Sequence, residues 1–165
     1  MQRVLFLFDE ATSVDGWSAV DDRVMGGVSR SRLRHDPAGH AVFEGELSLE
    51  QGGGFASVRS PPLQPGLPAT AAYLLEVRGD GKRYRLSVRT EEAFDGVSYQ
   101  ADFGTTSGAW TLVRLPVSGF GARFRGRSVT GAPPLDPVRV SQLGLMIADR
   151  QAGRFALAVR SIRPE

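Results

Sequence analysis

The chain has 165 residues, of which 41% are hydrophobic and 23% charged, with a formal net charge of +2. Such a chain suits one globular domain, residues 1–165, whose core is large enough to stand without a metal or disulfides. The absence of cysteine excludes a disulfide scaffold, a thiol nucleophile and any cysteine-ligated metal centre, and His35 and His40 alone cannot make a histidine-rich site.

Glycine (20) and proline (10) break the chain at short intervals, and the runs between them alternate apolar with polar. The first run, Val4 to Phe8, ends at Asp9 and Glu10. It is too short for a signal-peptide core or a bilayer span, so it reads as a strand over 3–8 and the localisation expected is cytoplasmic. A single helical turn is expected near 12–18. Further strands follow over 28–33, 41–49, 55–59, 73–77, 83–89, 98–103, 111–116, 141–148 and 154–162. In the strand over 83–89, Tyr84, Leu86 and Val88 face one way and Arg83, Arg85, Ser87 and Arg89 the other. His35 and His40 flank a turn, and the proline-rich 61–69 reads as a crossing between sheets. No stretch makes a long amphipathic helix. The fold class expected is all-β, a β-sandwich with jelly-roll topology.

Four places carry candidate function. In the first, Asp21, Asp22, Arg23, Met25, Gly26, Gly27 and Ser29 precede a strand. They read either as a loop facing a ligand or partner, or as a tight turn held by hydrogen bonds; two acids alone are a weak calcium signal. In the second, Gly52, Gly53 and Gly54 precede Phe55 and Arg59. No Gly-Lys-Ser/Thr follows, so this is no phosphate-binding loop. The reading preferred is a hairpin turn or bulge, with Arg59 the residue placed to act beyond it. In the third, Asp80 and Gly81 between two alternating runs signal a hairpin leading to Tyr84, with Asp80 capping the turn. In the fourth, residues 103–135 carry Arg114, Arg123, Arg125 and Arg127 and no acid. If extended, the last three would share a face and form an anion- or partner-facing patch. Nearby aromatics leave single-stranded RNA or a sugar open as ligands, with Tyr84, Tyr99 and Trp110 as possible sugar platforms. No nucleophile elbow or paired-carboxylate signal stands out, so neither a catalytic set nor a cofactor is expected.

The string Asp22-Arg23-Val24-Met25-Gly26-Gly27-Val28-Ser29 is specific. Together with Gly53-Gly54-Phe55, Arg78-Gly79-Asp80-Gly81-Lys82-Arg83-Tyr84 and Phe124-Arg125-Gly126-Arg127, it resembles the family of complex I intermediate-associated protein 30 over essentially the whole chain. The resemblance implies a jelly-roll sandwich like galactose-binding domains. It also implies a non-catalytic, chaperone-like role in assembling the membrane arm of NADH:ubiquinone oxidoreductase. The arginine-rich composition and the lack of a targeting segment or second domain suggest a minimal bacterial member. The resemblance raises the weight on Asp22, Arg23, Met25, Gly26, Gly27, Ser29, Gly53, Gly54, Phe55 and Arg59 as partner-binding residues. A carbohydrate-binding module and an RNA-associated protein are the alternatives.

Overall fold

The computed structural model describes residues 5–22, 26–63, 69–90, 96–124 and 127–165. Thirteen strands are described: β1 (Phe6–Leu7), β2 (Ser18–Ala19), β3 (Arg30–Asp36), β4 (His40–Leu47), β5 (Ala56–Arg59), β6 (Ala72–Arg78), β7 (Arg83–Arg89), β8 (Ser98–Gly104), β9 (Trp110–Pro116), β10 (Gly121–Phe124), β11 (Arg127–Ser128), β12 (Gln142–Ile147) and β13 (Gly153–Pro164). The turn expected near 12–18 is a 3-10 turn at Ala11–Val14.

The strands form two antiparallel sheets, as a β-sandwich of the jelly-roll type requires. One has the order β3-β4-β13-β6-β9, with β1 paired to β13; the other has the order β11-β10-β8-β7-β12-β5-β2. Their apolar inner faces share one core, in which Phe43, Tyr73, Leu75, Tyr84, Leu86, Leu145 and Leu157 are almost wholly buried. The strict alternation of these residues along their strands is what sets the two faces apart. At one flank β2 and β5 approach β3, closing the sandwich. At the other flank lie β9, at the end of the first sheet, and the β10–β11 ribbon, at the end of the second.

Two expected hairpins turn out to be crossings. β4 and β5 belong to different sheets, so the glycines at 52–54 carry the chain from one sheet to the other. A 3-10 turn at Glu50–Gly52 opens that crossing. β6 pairs with β13 and β9 while β7 pairs with β12 and β8, so Asp80-Gly81 also crosses between sheets. Local turn chemistry cannot distinguish these cases, because the same Gly and Asp conformations serve both. The turn between His35 and His40 is a true hairpin, with Asp36 opposite His40. The expectation that 61–69 crosses between sheets agrees with β5 and β6 lying in different sheets, although 64–68 fall outside the described residues.

The arginine face expected over 123–127 is also corrected. Phe124 lies opposite Arg127, and Arg123 opposite Ser128. The chain therefore folds back on itself, which puts Arg123 and Arg127 on opposite faces of a narrow ribbon. Arg125 lies outside the described residues.

Candidate functional site

The first sequence motif is wound around a buried carboxylate. Asp22 is 1% exposed. Its Oδ1 accepts from the Ser29 amide at 2.9 Å. Its Oδ2 accepts from the Ser29 hydroxyl at 2.6 Å and from the amides of Gly54 at 2.7 Å and Phe55 at 3.3 Å. The Ser29 hydroxyl in turn accepts from the Ser48 amide at 2.9 Å. Gly27 and Gly53 are glycines for lack of room: a Cβ on either would come within 2.5 or 2.6 Å of the Asp22 carboxylate. Asp21 makes a second tie, accepting from the Ser31 amide at 3.1 Å, the Ser31 hydroxyl at 2.5 Å and the Ser57 amide at 3.0 Å. The two carboxylates thus bind the entries of β3 and β5 to the chain leaving β2.

The electrostatics of the pair differ. Burial pushes Asp21 above the usual carboxylate range despite the help of Ser31 and Ser57. Burial also opposes ionisation of Asp22, but the Ser29 hydroxyl and the amides of Gly54, Ser29 and Phe55 outweigh it and hold that group below its usual value. With their oxygens turned to internal donors, these acids serve as internal ties, not as ligands for an incoming cation. Asp22, Gly27, Ser29, Gly53, Gly54 and Phe55 converge here; Gly26 sits on the adjoining turn, and Arg23 and Met25 lie outside the described residues.

Tyr84 is elsewhere, 1% exposed in the core, with its hydroxyl 3.0 Å from both oxygens of Asp80. Burial raises its pKa far above the tyrosine value, so at neutral pH it serves Asp80 as a donor. Asp80 caps the Lys82 amide at 3.1 Å, as expected, and also accepts from the Ala156 amide at 3.0 Å. It therefore pins the second crossing to β13. Tyr99 is buried, with its hydroxyl on the Pro133 carbonyl at 2.8 Å. The ring of Trp110 carries the Arg160 guanidinium at 3.9 Å and that of Arg78 at 5.1 Å, with His40 edge-on at 5.3 Å. None of the three rings is a bare platform for a sugar. Burial, followed by the charges of Arg78, Arg160 and Arg34, lowers the His40 pKa against the pull of Asp36.

Arg59 lies on the outer face of the seven-stranded sheet. Register places Arg59, Gly144, Ser87, Gln100 and Gly121 in one row across five strands. In that row Gln100 is 9% exposed, and neighbouring rows hold Arg85, Arg89 and Ser98, only 8%, 7% and 9% exposed. Arg85 is gripped by Asp102 at 2.8 Å and Asp149 at 2.5 Å. Asp102 therefore pairs with Arg85 of β7. The burial of this polar face was hidden in the sequence, because alternating Arg and Ser look the same whether water or neighbouring side chains cover them. The hollow above the face is about 40 Å³, close to the share of one or two water molecules and too small for a sugar ring. The six-stranded sheet bears a broader trough of about 670 Å³ beside Arg30, Glu46, Lys82 and Arg154. Its Glu44 is held by Arg32 at 2.6 Å and Arg34 at 3.0 Å. Among the described residues no three His, Asp or Glu side chains group as metal ligands, and no helix is long and apolar enough to cross a membrane.

Residues 6–159 match the family model of complex I intermediate-associated protein 30. The chain belongs to that family. An uncharacterized protein of Schizosaccharomyces pombe is 31% identical over 97% of this chain and 82% of its own length. The mitochondrial complex I intermediate-associated protein 30 of Drosophila melanogaster is 27% identical over 94% of this chain, and that of Mus musculus 27% over 95%. The chain spans 60% of the fly protein and 54% of the mouse protein. These relatives correct two expectations: those whose names give a compartment are mitochondrial, not cytoplasmic, and they come from animals, not bacteria. Among solved structures, a family 11 carbohydrate-binding module of Clostridium thermocellum superposes with a TM-score of 0.72 at 14% identity, covering 99% of this chain and 94% of the module. At that identity the likeness concerns the fold alone.

Proposed function

We propose that the domain is non-catalytic and holds a partner protein during assembly of a respiratory complex. The observation that carries this reading is the family match across the sandwich, residues 6–159, with relatives named for association with a complex I intermediate. The chemistry of the chain is consistent with it. Within the specific string, Asp22 and Ser29 are spent on internal ties, and Tyr84, Asp80 and His40 are likewise engaged within the fold. The candidates for recognition are Arg59 on the polar sheet face, Arg123 and Arg127 on the ribbon, and Arg125 by its place in the sequence.

The test is affinity capture of the tagged full chain from its own host, with captured proteins identified. Membrane-arm subunits of NADH:ubiquinone oxidoreductase are the expected catch, and an Arg59→Ala/Arg127→Ala double variant should recover several-fold less. Recovery of no such subunit would sink the reading. The sugar alternative gains little from Tyr84, Tyr99 or Trp110, whose rings are buried or covered. RNA binding through Arg123–Arg127 would require affinity that falls steeply with salt.

A further inference from the structure

The open flank of the sandwich ends in a strand with an unused edge. β9 pairs with β6 on one side, and among the described residues no strand pairs with its other side. The Val117 amide donates to the Ala71 carbonyl at 2.9 Å, and the Glu165 amide to the Ala72 carbonyl at 2.8 Å. These bonds fix the parity of the ladder, since alternate residues of an antiparallel strand turn their N–H and C=O to opposite sides. Thr111, Val113 and Leu115 therefore bond to β6, while Trp110, Leu112 and Arg114 turn their backbone groups to the open edge. The same three residues carry their side chains on the outer face. Leu112, at their centre, is 65% exposed, the most exposed large apolar residue among those described. An edge of this kind with no inward charge is a template for another strand. Pro116 lacks an N–H and ends the template two residues past Arg114.

The charge of the flank sets the partner. β9, β10 and β11 all come from the acid-free 103–135 segment, so both sheets end here in Arg114, Arg123 and Arg127. Arg114 meets Glu165 at 2.9 Å. Two copies of the chain meeting edge to edge would bring two arginine-bearing flanks together. We infer that β9 docks an extended acidic segment of a partner protein, which adds as an antiparallel or parallel strand beside Trp110, Leu112 and Arg114. This inference rests on the protein-holding reading and names how the partner is held.

The probe is a soluble decapeptide of alternating glutamate and valine, added to the full chain, with backbone amide exchange followed by NMR. Exchange at Trp110, Leu112 and Arg114 should slow by about tenfold or more, with Thr111 and Val113 unchanged because β6 already holds them. The matching lysine–valine peptide should give no protection. Leu112→Pro, which removes the central N–H, should abolish the effect. Leu112→Glu keeps that N–H and alters only an exposed side chain, so it serves if the proline variant does not fold, and it should weaken binding at least several-fold. No protection, equal protection by the lysine peptide, protection at another edge, or full binding by Leu112→Glu would each overturn the inference. A Leu112→Glu chain that still retrieves complex subunits would overturn edge docking and leave the protein-holding reading intact. A chain that binds the peptide but retrieves no subunit would do the reverse.

Discussion

Asp22 and its neighbours show why two glycines sit where they do. The Cβ positions of Gly27 and Gly53 fall on the carboxylate, so either substitution to alanine must push it off its donors. Gly27→Ala or Gly53→Ala should each cost about 1–3 kcal/mol in denaturant unfolding. Asp22→Asn replaces one acceptor oxygen with a donor facing amides that need an acceptor, and should cost roughly 2–4 kcal/mol. The adjacent acids should also titrate apart when followed by carboxyl-carbon NMR, Asp21 above the usual range and Asp22 below it. Because the folded pKa of Asp22 is depressed, its contribution to stability is whole above the unfolded value of about 4 and is lost as pH falls through the folded value. That of Asp21 runs the other way: it is whole below the unfolded value and is lost as pH rises through the raised folded value. Stability measured below pH ~4 should therefore vary less with pH in Asp22→Asn than in the parent chain. The sequence made this cluster conspicuous, but it could not tell a closed tie from an open loop. The difference lies in donors such as Gly54 and Phe55, which are distant along the chain.

At the level of elements, alternation located ten of the strands and their inward faces. It did not reveal β2, β10 and β11. Turn chemistry identified the Asp80 cap but assigned it to a hairpin. Asp80 instead joins a sheet crossing to β13 through Ala156 and to the core through Tyr84. Asp80→Ala should therefore cost more than an exposed turn residue would, roughly 2–3 kcal/mol, and Tyr84→Phe about 1 kcal/mol. A double-mutant cycle should show the two coupled, because each loses the same bond. Additive effects would mean that the Tyr84 hydroxyl does not depend on Asp80. The four-arginine segment was legible as a charge feature. Its shape was not, because a chain reversal between Phe124 and Arg127 separates side chains that an extended strand would align.

Across the whole molecule, the first strand closes on the last: Phe6 lies opposite Ile162, and Phe8, wholly buried, packs against Trp17. Phe8→Ala should cost about 3–5 kcal/mol. Pairings between chain ends, and between sheets reached by crossings, are non-local, so folding should take milliseconds to seconds or longer in stopped-flow refolding. One core shared by both sheets should give coincident unfolding by fluorescence and circular dichroism; two separated transitions would mean that the sheets unfold independently. The sequence by itself determined the strand-rich fold, its alternating faces, the absence of cysteine chemistry, the family string and the acid-free stretch. These are properties of composition and short-range periodicity, which the chain carries before it folds. The tertiary structure alone decided which polar residues are consumed inside and which stay at the surface. Asp22, Arg85 and Tyr84 are held inward by donors and acids from other segments, and β9 lies at a sheet's edge by the spatial order of the strands. Burial and edges arise only when distant segments meet, so no local pattern could have specified them.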